Sequence, residues 1–247
     1  MKGSKLLLRD RLIIVIDTNN KNEVISLCKK ISGKVSTVKI GLELIYSVGL
    51  GIVDTIKSFG YKVMLDAKLL DIPNTVSGAA AAIGKLGVSA VTLHTLGGKQ
   101  MLISAREVME KQAKLEAKLK PLLFGVTILT SLDDADLKAL GFKGDFFQSV
   151  LNLSKIAVES GMDGIVCSPN EVKPVREKLG TGFYIATPGI RLPEDAAGDQ
   201  KRINTPEEAM SRGADFIIVG RSITTRKDVG GTIDLYLEKI ERTLGHA

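Results

Sequence analysis

The sequence predicts an α/β chain closed into a (β/α)8 TIM barrel, and three observations carry that expectation. Short apolar, β-branched runs recur about eight times, segments of helical periodicity fill the intervals, and the 247 residues match the roughly 250 typical of this architecture. An open doubly wound sheet would alternate in the same way, but no strand candidate leads into a G-x-G-x-x-G turn with an acidic residue some 20 positions on.

In chain order the strands are expected at Leu12–Asp17, Val35–Ile40, Lys62–Asp66, Ala90–Leu93, Leu122–Val126, Gly164–Cys167, Phe183–Ala186 and Phe216–Val219. Helices are expected at Asn20–Ser32, Leu42–Phe59, Pro73–Leu86, Lys99–Leu119, Phe146–Ser160, Glu171–Leu179, Pro206–Arg212 and Thr232–Leu244. Pro73 and Pro206 suit a first helical turn, where a missing N–H removes no bond. Gly33, Gly60, Gly87, Gly161, Gly180 and Gly213 follow helical segments as stop signals. No linker, low-complexity tract or repeat interrupts the pattern, so residues 1–247 are expected to form one barrel domain.

Composition narrows the function. Hydrophobic residues make up 44% and charged residues 25%, values of an ordinary globular protein and not of a disordered or collagen-like one. The net charge of +6, from 34 Lys+Arg against 28 Asp+Glu, is spread along the chain, and aromatic residues are only 4%. An anionic small-molecule substrate explains this as well as nucleic acid does, and nucleic acid is not expected as a partner. The basic stretch Lys111–Lys120 interleaves Lys with Glu and Leu as an exposed helix face does. Cys28 and Cys167 lack metal-ligand or redox spacing and read as buried free thiols. The N-terminal leucine run is too short and too charged for a signal segment, and no apolar run approaches a membrane span. A cytoplasmic protein without membrane association is the expectation.

The chemistry of such a barrel collects at the carboxyl ends of its strands. There the sequence is ionic: Asp17 ends the first strand, Lys39 the second, and Asp66-Ala67-Lys68 followed by Asp71 the third. His94 and Thr95 end the fourth, and the fifth runs into Thr130 and Ser131. Side chains two apart on an extended segment share a face, so Asp66 and Lys68 are expected to enter one cavity. A structural salt-bridge ring is the competing account, and it weakens as the number of interleaved charges grows, because desolvating unneeded charge is costly.

The last strands offer other groups. Thr187-Pro188-Gly189-Ile190-Arg191 and Gly220-Arg221-Ser222 follow strands seven and eight, where barrels often bind phosphate through backbone N–H groups and a cation. Arg221 can hold a phosphate bidentately. The long polar segment from Gly189 to Asn204, with Gly198, Asp199, Gln200, Lys201 and Arg202, reads as a lid over that site, with disorder as the alternative.

Asp66-Ala67-Lys68-Leu69-Leu70-Asp71-Ile72-Pro73-Asn74-Thr75 resembles the D-x-K-x-x-D-I-P-x-T signature of the orotidine 5′-phosphate decarboxylases, in their bacterial style. The resemblance continues through Val15-Ile16-Asp17, Val38-Lys39-Ile40-Gly41, Leu93-His94, Leu129-Thr130-Ser131, Thr187 to Arg191, Asp199 to Arg202 and Val219-Gly220-Arg221, in order along nearly the whole chain. It implies metal-free, cofactor-free decarboxylation of orotidine 5′-phosphate to uridine 5′-phosphate. Lys68 would donate the proton to C6, Asp66 would face the substrate carboxylate, and Lys39 with Asp71 would complete the charge network. Asp17 and Lys39 would hold ribose hydroxyls, and Thr130 and Ser131 the pyrimidine. Gln200, Gly220 and Arg221 would hold the phosphate, with Pro188 and Arg191 at the start of the closing loop. The resemblance further implies a homodimer in which Asp71 and Thr75 reach the other subunit's site.

Two rivals stay on the table. Related barrels, the 3-keto-gulonate 6-phosphate decarboxylases and hexulose phosphate synthases, share the D-x-K core but use magnesium held partly by an acidic residue at the second strand; the corresponding residue here resembles Lys39, which repels a cation. A non-catalytic barrel that binds a phosphorylated ligand is the other. His94 is expected to serve as a local hydrogen-bond partner, and Tyr46 and Met64 as packing residues.

Overall fold

In the computed structural model, residues 6–116, 119–193, 195 and 204–245 are described. Eight parallel strands close in sequential order: β1 (Leu12–Ile16), β2 (Thr37–Ile40), β3 (Lys62–Leu69), β4 (Ala90–His94), β5 (Leu122–Val126), β6 (Gly164–Val166), β7 (Tyr184–Thr187) and β8 (Phe216–Val219), with β8 paired back onto β1. Around them run α1 (Lys21–Lys30), α2 (Leu42–Val48), α3 (Ile52–Ser58), α4 (Pro73–Lys85), α5 (Gly98–Leu115), α6 (Asp134–Ala139), α7 (Phe146–Glu159), α8 (Pro169–Leu179), α9 (Pro206–Ser211), α10 (Arg221–Thr224) and α11 (Val229–Gly245). Among the described residues no helix is long and apolar enough to cross a membrane.

The period-two alternation of the strands divides the core. Inward-facing Ile13, Met64, Ala90, Phe124, Tyr184, Ala186, Phe216 and Ile218 fill the barrel, with the Phe124 and Phe216 rings edge to face at 6.1 Å. Outward-facing Ile14, Ile16, Val38, Ile40, Val63, Leu65, Val91 and Leu93 join the larger layer beneath the helices, which also takes in Cys28 and Cys167 as free thiols.

All eight strands stand within a few residues of their expected places, and the six stop glycines all adopt positive φ. The helix expectations need correction in several places. Leu42–Phe59 is two helices, because Gly49 takes φ 87° with an extended ψ and ends α2. The helix expected from Glu171 starts at Pro169: Ser168 caps it, and the Glu171 carboxylate accepts the Ser168 N–H at 2.6 Å. The one expected to reach Leu119 ends at Leu115. Helix α6, unforeseen, is held by a capping box between Asp133 and Asp136. Met64 packs as expected, but Tyr46 is 85% exposed, since α2 buries only Leu44 and turns Tyr46 outward.

Candidate active site

The strand register explains how the charges meet. Lys39 pairs with Met64 across β2 and β3, so Lys39 lies on the inward face one step diagonally from Asp66. Asp66 is 7% exposed and both its carboxylate oxygens are engaged: Oδ2 accepts Lys39 Nζ at 2.6 Å and Lys68 Nζ at 2.9 Å, and Oδ1 accepts the Thr92 hydroxyl at 2.9 Å. Burial alone would raise this carboxyl, but the two ammonium groups prevail and hold it at about 2. Lys68 is the more open of the two cations, with 35% of its side chain accessible against 13% for Lys39. Asp17 is exposed at the end of β1, and a methyl group added at Gly41 would stand 3.7 Å from Lys39 Nζ and 3.9 Å from Asp17 Oδ1. Both charges therefore approach the same stretch of backbone.

His94 is buried at the end of β4, where Nδ1 accepts the Leu96 N–H at 3.4 Å and caps a short 3-10 turn. Burial first, and then the Lys68 charge, hold its pKa below the usual histidine value and favour neutral imidazole. Thr130 is buried and Ser131 exposed beyond β5. Asp71 and Thr75 are exposed around the start of α4; the Asp71 carboxylate accepts the Ile72 N–H at 2.6 Å and, among the described residues, forms no ion pair with Lys39 or Lys68 of its own chain.

Across the same carboxyl rim, beyond β7, Gly189 to Arg191 and Asn204 form a closed base. Ile190 and Asn204 form a parallel bridge, with Arg191 N–H to Asn204 O at 3.0 Å and Asn204 N–H to Gly189 O at 3.1 Å. Pro188 precedes this base, and the Arg191 guanidinium donates to Ile190 O. Gln200 lies outside the described residues. Gly220 leads into α10, headed by Arg221, and passes so near β1 that a methyl group there would stand 3.4 Å from Val15 Cβ. Asp195 ties the two segments together, accepting from Ser222 and Arg226, while Ser222 Oγ lies 2.6 Å from Tyr236 OH. Burial pushes the Tyr236 phenol up to about 12.

Sequence reasoning missed Thr92, Asp195 and Tyr236, and met Ser222 only as part of the Gly220-Arg221-Ser222 turn. Thr92 is an ordinary β-former in a strand, and the other three meet only through tertiary packing, so no local signal marks them. Among the described residues no three His, Cys, Asp or Glu side chains gather as a metal-binding group.

A closed (β/α)8 barrel with one buried carboxylate clamped between two ammonium groups at its carboxyl rim defines a barrel protein suited to holding an anionic ligand beside fixed charge. Comparison with known proteins gives the particular family. The chain belongs to the Orotidine 5′-phosphate decarboxylase / HUMPS family, whose model matches residues 10–236. It is 41% identical over 235 residues to the orotidine 5′-phosphate decarboxylase of Carboxydothermus hydrogenoformans, covering 95% of this chain and 98% of that one. To the enzyme of the same name from Ehrlichia canis it is 42% identical over 229 residues, covering 93% and 97%. The crystal structure of orotidine 5′-phosphate decarboxylase from Lactobacillus acidophilus matches with TM-score 0.83 at 35% identity, over 94% of this chain and 99% of that one.

Proposed function

We propose that this protein decarboxylates orotidine 5′-phosphate to uridine 5′-phosphate, the last step of de novo UMP synthesis, without a metal or organic cofactor. The observation that carries the reading is the Lys39–Asp66–Lys68 cluster, in which both ammonium groups meet one buried carboxylate oxygen. Near-full-length relatives bearing that enzyme's name support the substrate.

Breaking the C6–carboxylate bond leaves its electron pair on C6, where no neighbouring carbonyl is placed to delocalise it as in a β-keto acid. A preorganised cation beside C6 stabilises that charge as it develops. Lys68 then gives a proton to C6, its amine recovering one from solvent, while carbon dioxide departs. Asp66, fixed as an anion, repels the substrate carboxylate, and the repulsion vanishes as neutral carbon dioxide forms. Asp17 and Lys39 serve the ribose hydroxyls, and Thr130 and Ser131 the pyrimidine. Pro188, Arg191, Gln200, Gly220 and Arg221 serve the phosphate end, whose remote binding energy orders the catalytic charges.

The working unit in this reading is a cytoplasmic homodimer. Asp71 and Thr75, exposed and apart from their own chain's cluster, complete the partner's site. Exposed Leu42, Tyr46, Leu70, Ile72 and Leu96 supply apolar surface of the kind a dimer covers.

Purified protein incubated with orotidine 5′-phosphate and excess chelator should release uridine 5′-phosphate at the rate seen without chelator. Strict magnesium dependence would move the assignment to the sugar-phosphate decarboxylases and aldolases, and no turnover at all to a binding barrel.

A further inference from the structure

Between β3 and β4 the strand ladder breaks where the chemistry is placed. Leu65 pairs with Val91 and Leu69 with Leu93, so three residues of β3, Asp66, Ala67 and Lys68, stand against the single residue Thr92. Lys68 adopts φ 46°, and among the described residues it is the one non-glycine residue with positive φ. A lysine enters that region at a cost, so something must hold it there.

Thr92 does so. Its side-chain oxygen accepts the Lys68 backbone N–H at 2.9 Å, inside the stretch where the ladder shifts register. The hydroxyl has one proton, and it goes to Asp66 Oδ1 at 2.9 Å. The hydroxyl's direction is thereby fixed at both ends: it accepts from the backbone that aims the ammonium, and it donates to the carboxylate that the ammonium contacts. Thr92 is 1% exposed, so water cannot replace either bond. Being β-branched in a regular strand, it has little rotamer freedom. Lys39 approaches the other carboxylate oxygen, Oδ2, leaving Oδ1 to the hydroxyl.

We infer that Thr92 is a positioning residue for the reaction: by bonding the Lys68 backbone and the Asp66 carboxylate together, it sets where the Lys68 ammonium stands. The inference rests on the reading of Lys68 as the proton donor. Misplacement of a reacting group by about 1 Å can cost on the order of 100-fold in rate, which sets the scale expected.

The test compares wild type, Thr92→Val, which keeps the shape and loses the hydroxyl, and Thr92→Ser, which keeps the hydroxyl. Turnover of orotidine 5′-phosphate is measured across pH, and hydrogen exchange at the Lys68 amide together with titration of the Asp66 carboxyl is followed by NMR in protein without substrate. In Thr92→Val, kcat should fall about 10- to 100-fold with little change in KM, the Lys68 amide should exchange faster, and Asp66 should titrate at higher pH; Thr92→Ser should restore all of these to near wild type. Wild-type kcat in Thr92→Val, an unchanged Lys68 amide, or a serine variant as impaired as the valine one would each overturn the inference. Should wild type itself fail to turn over the nucleotide, the proposed function falls, and the exchange and titration measurements still decide whether Thr92 holds this pair.

Discussion

A single carboxylate organises the reactive end of this barrel, and its ionisation is tied to folding. The Asp66 carboxyl is depressed in the folded protein from the ordinary 3.8 to about 2. A group lowered in this way stabilises the fold fully above its unfolded pKa, and that stability drains away as pH falls through the folded value. The window here runs from about pH 4 down to about pH 2, and the size is roughly 2 kcal/mol. Urea unfolding at stepped pH should therefore show wild type losing more stability over that window than Asp66→Asn does. Equal losses would mean that the two lysines do not hold the carboxylate as the geometry implies.

At the scale of elements, the barrel depends on glycines where strands and helices crowd. In β6, a Cβ at Gly164 would stand 2.6 Å from Phe124 Cε1 and 2.8 Å from the Tyr184 carbonyl oxygen, and the latter is backbone that cannot swing aside. Gly164→Ala should lower stability by about 1–3 kcal/mol in denaturant unfolding, the usual cost of overpacking; an unchanged midpoint would show that the strand yields more easily than a packed barrel should. Helix α10 makes a functional prediction instead. If Arg221 grips the phosphate with two charge-assisted bonds, Arg221→Ala should cut kcat/KM on the nucleotide by about 100-fold or more while leaving the slow reaction of the phosphate-free nucleoside nearly unchanged. Equal losses on both substrates would contradict the division between a phosphate end and a reactive end.

The whole molecule is expected to work as a pair. Lys68→Ala and Asp71→Ala should each be inactive alone, but unfolding and refolding them together creates mixed dimers with one intact site. Random assortment in a two-fold dimer predicts recovery to about a quarter of wild-type activity. Verified mixed dimers that stay inactive would show that Asp71 does not cross between chains. In the proposed dimer, the exposed Leu42 and Tyr46 of α2 and Leu70 and Ile72 before α4 would be apolar surface for the second chain to cover.

Eight strands and most helices were legible because burial imposes periodicity, and because the left-handed stops at Gly33, Gly60, Gly87, Gly161, Gly180 and Gly213 demand a residue without a Cβ. The meeting of Lys39, Asp66 and Lys68 was legible too, since strand ends in a closed parallel barrel share one rim. Helix α6 escaped notice because a six-residue segment offers too little periodicity, and the break at Gly49 because a helix-length apolar pattern runs across it. Thr92, with its bonds to the Lys68 backbone and the Asp66 carboxylate, was decided by the register of β3 against β4. Local sequence fixes the preferences of each segment through sterics and burial, whereas a hydroxyl's partners depend on which strand slides beside which, and only the closed barrel sets that alignment.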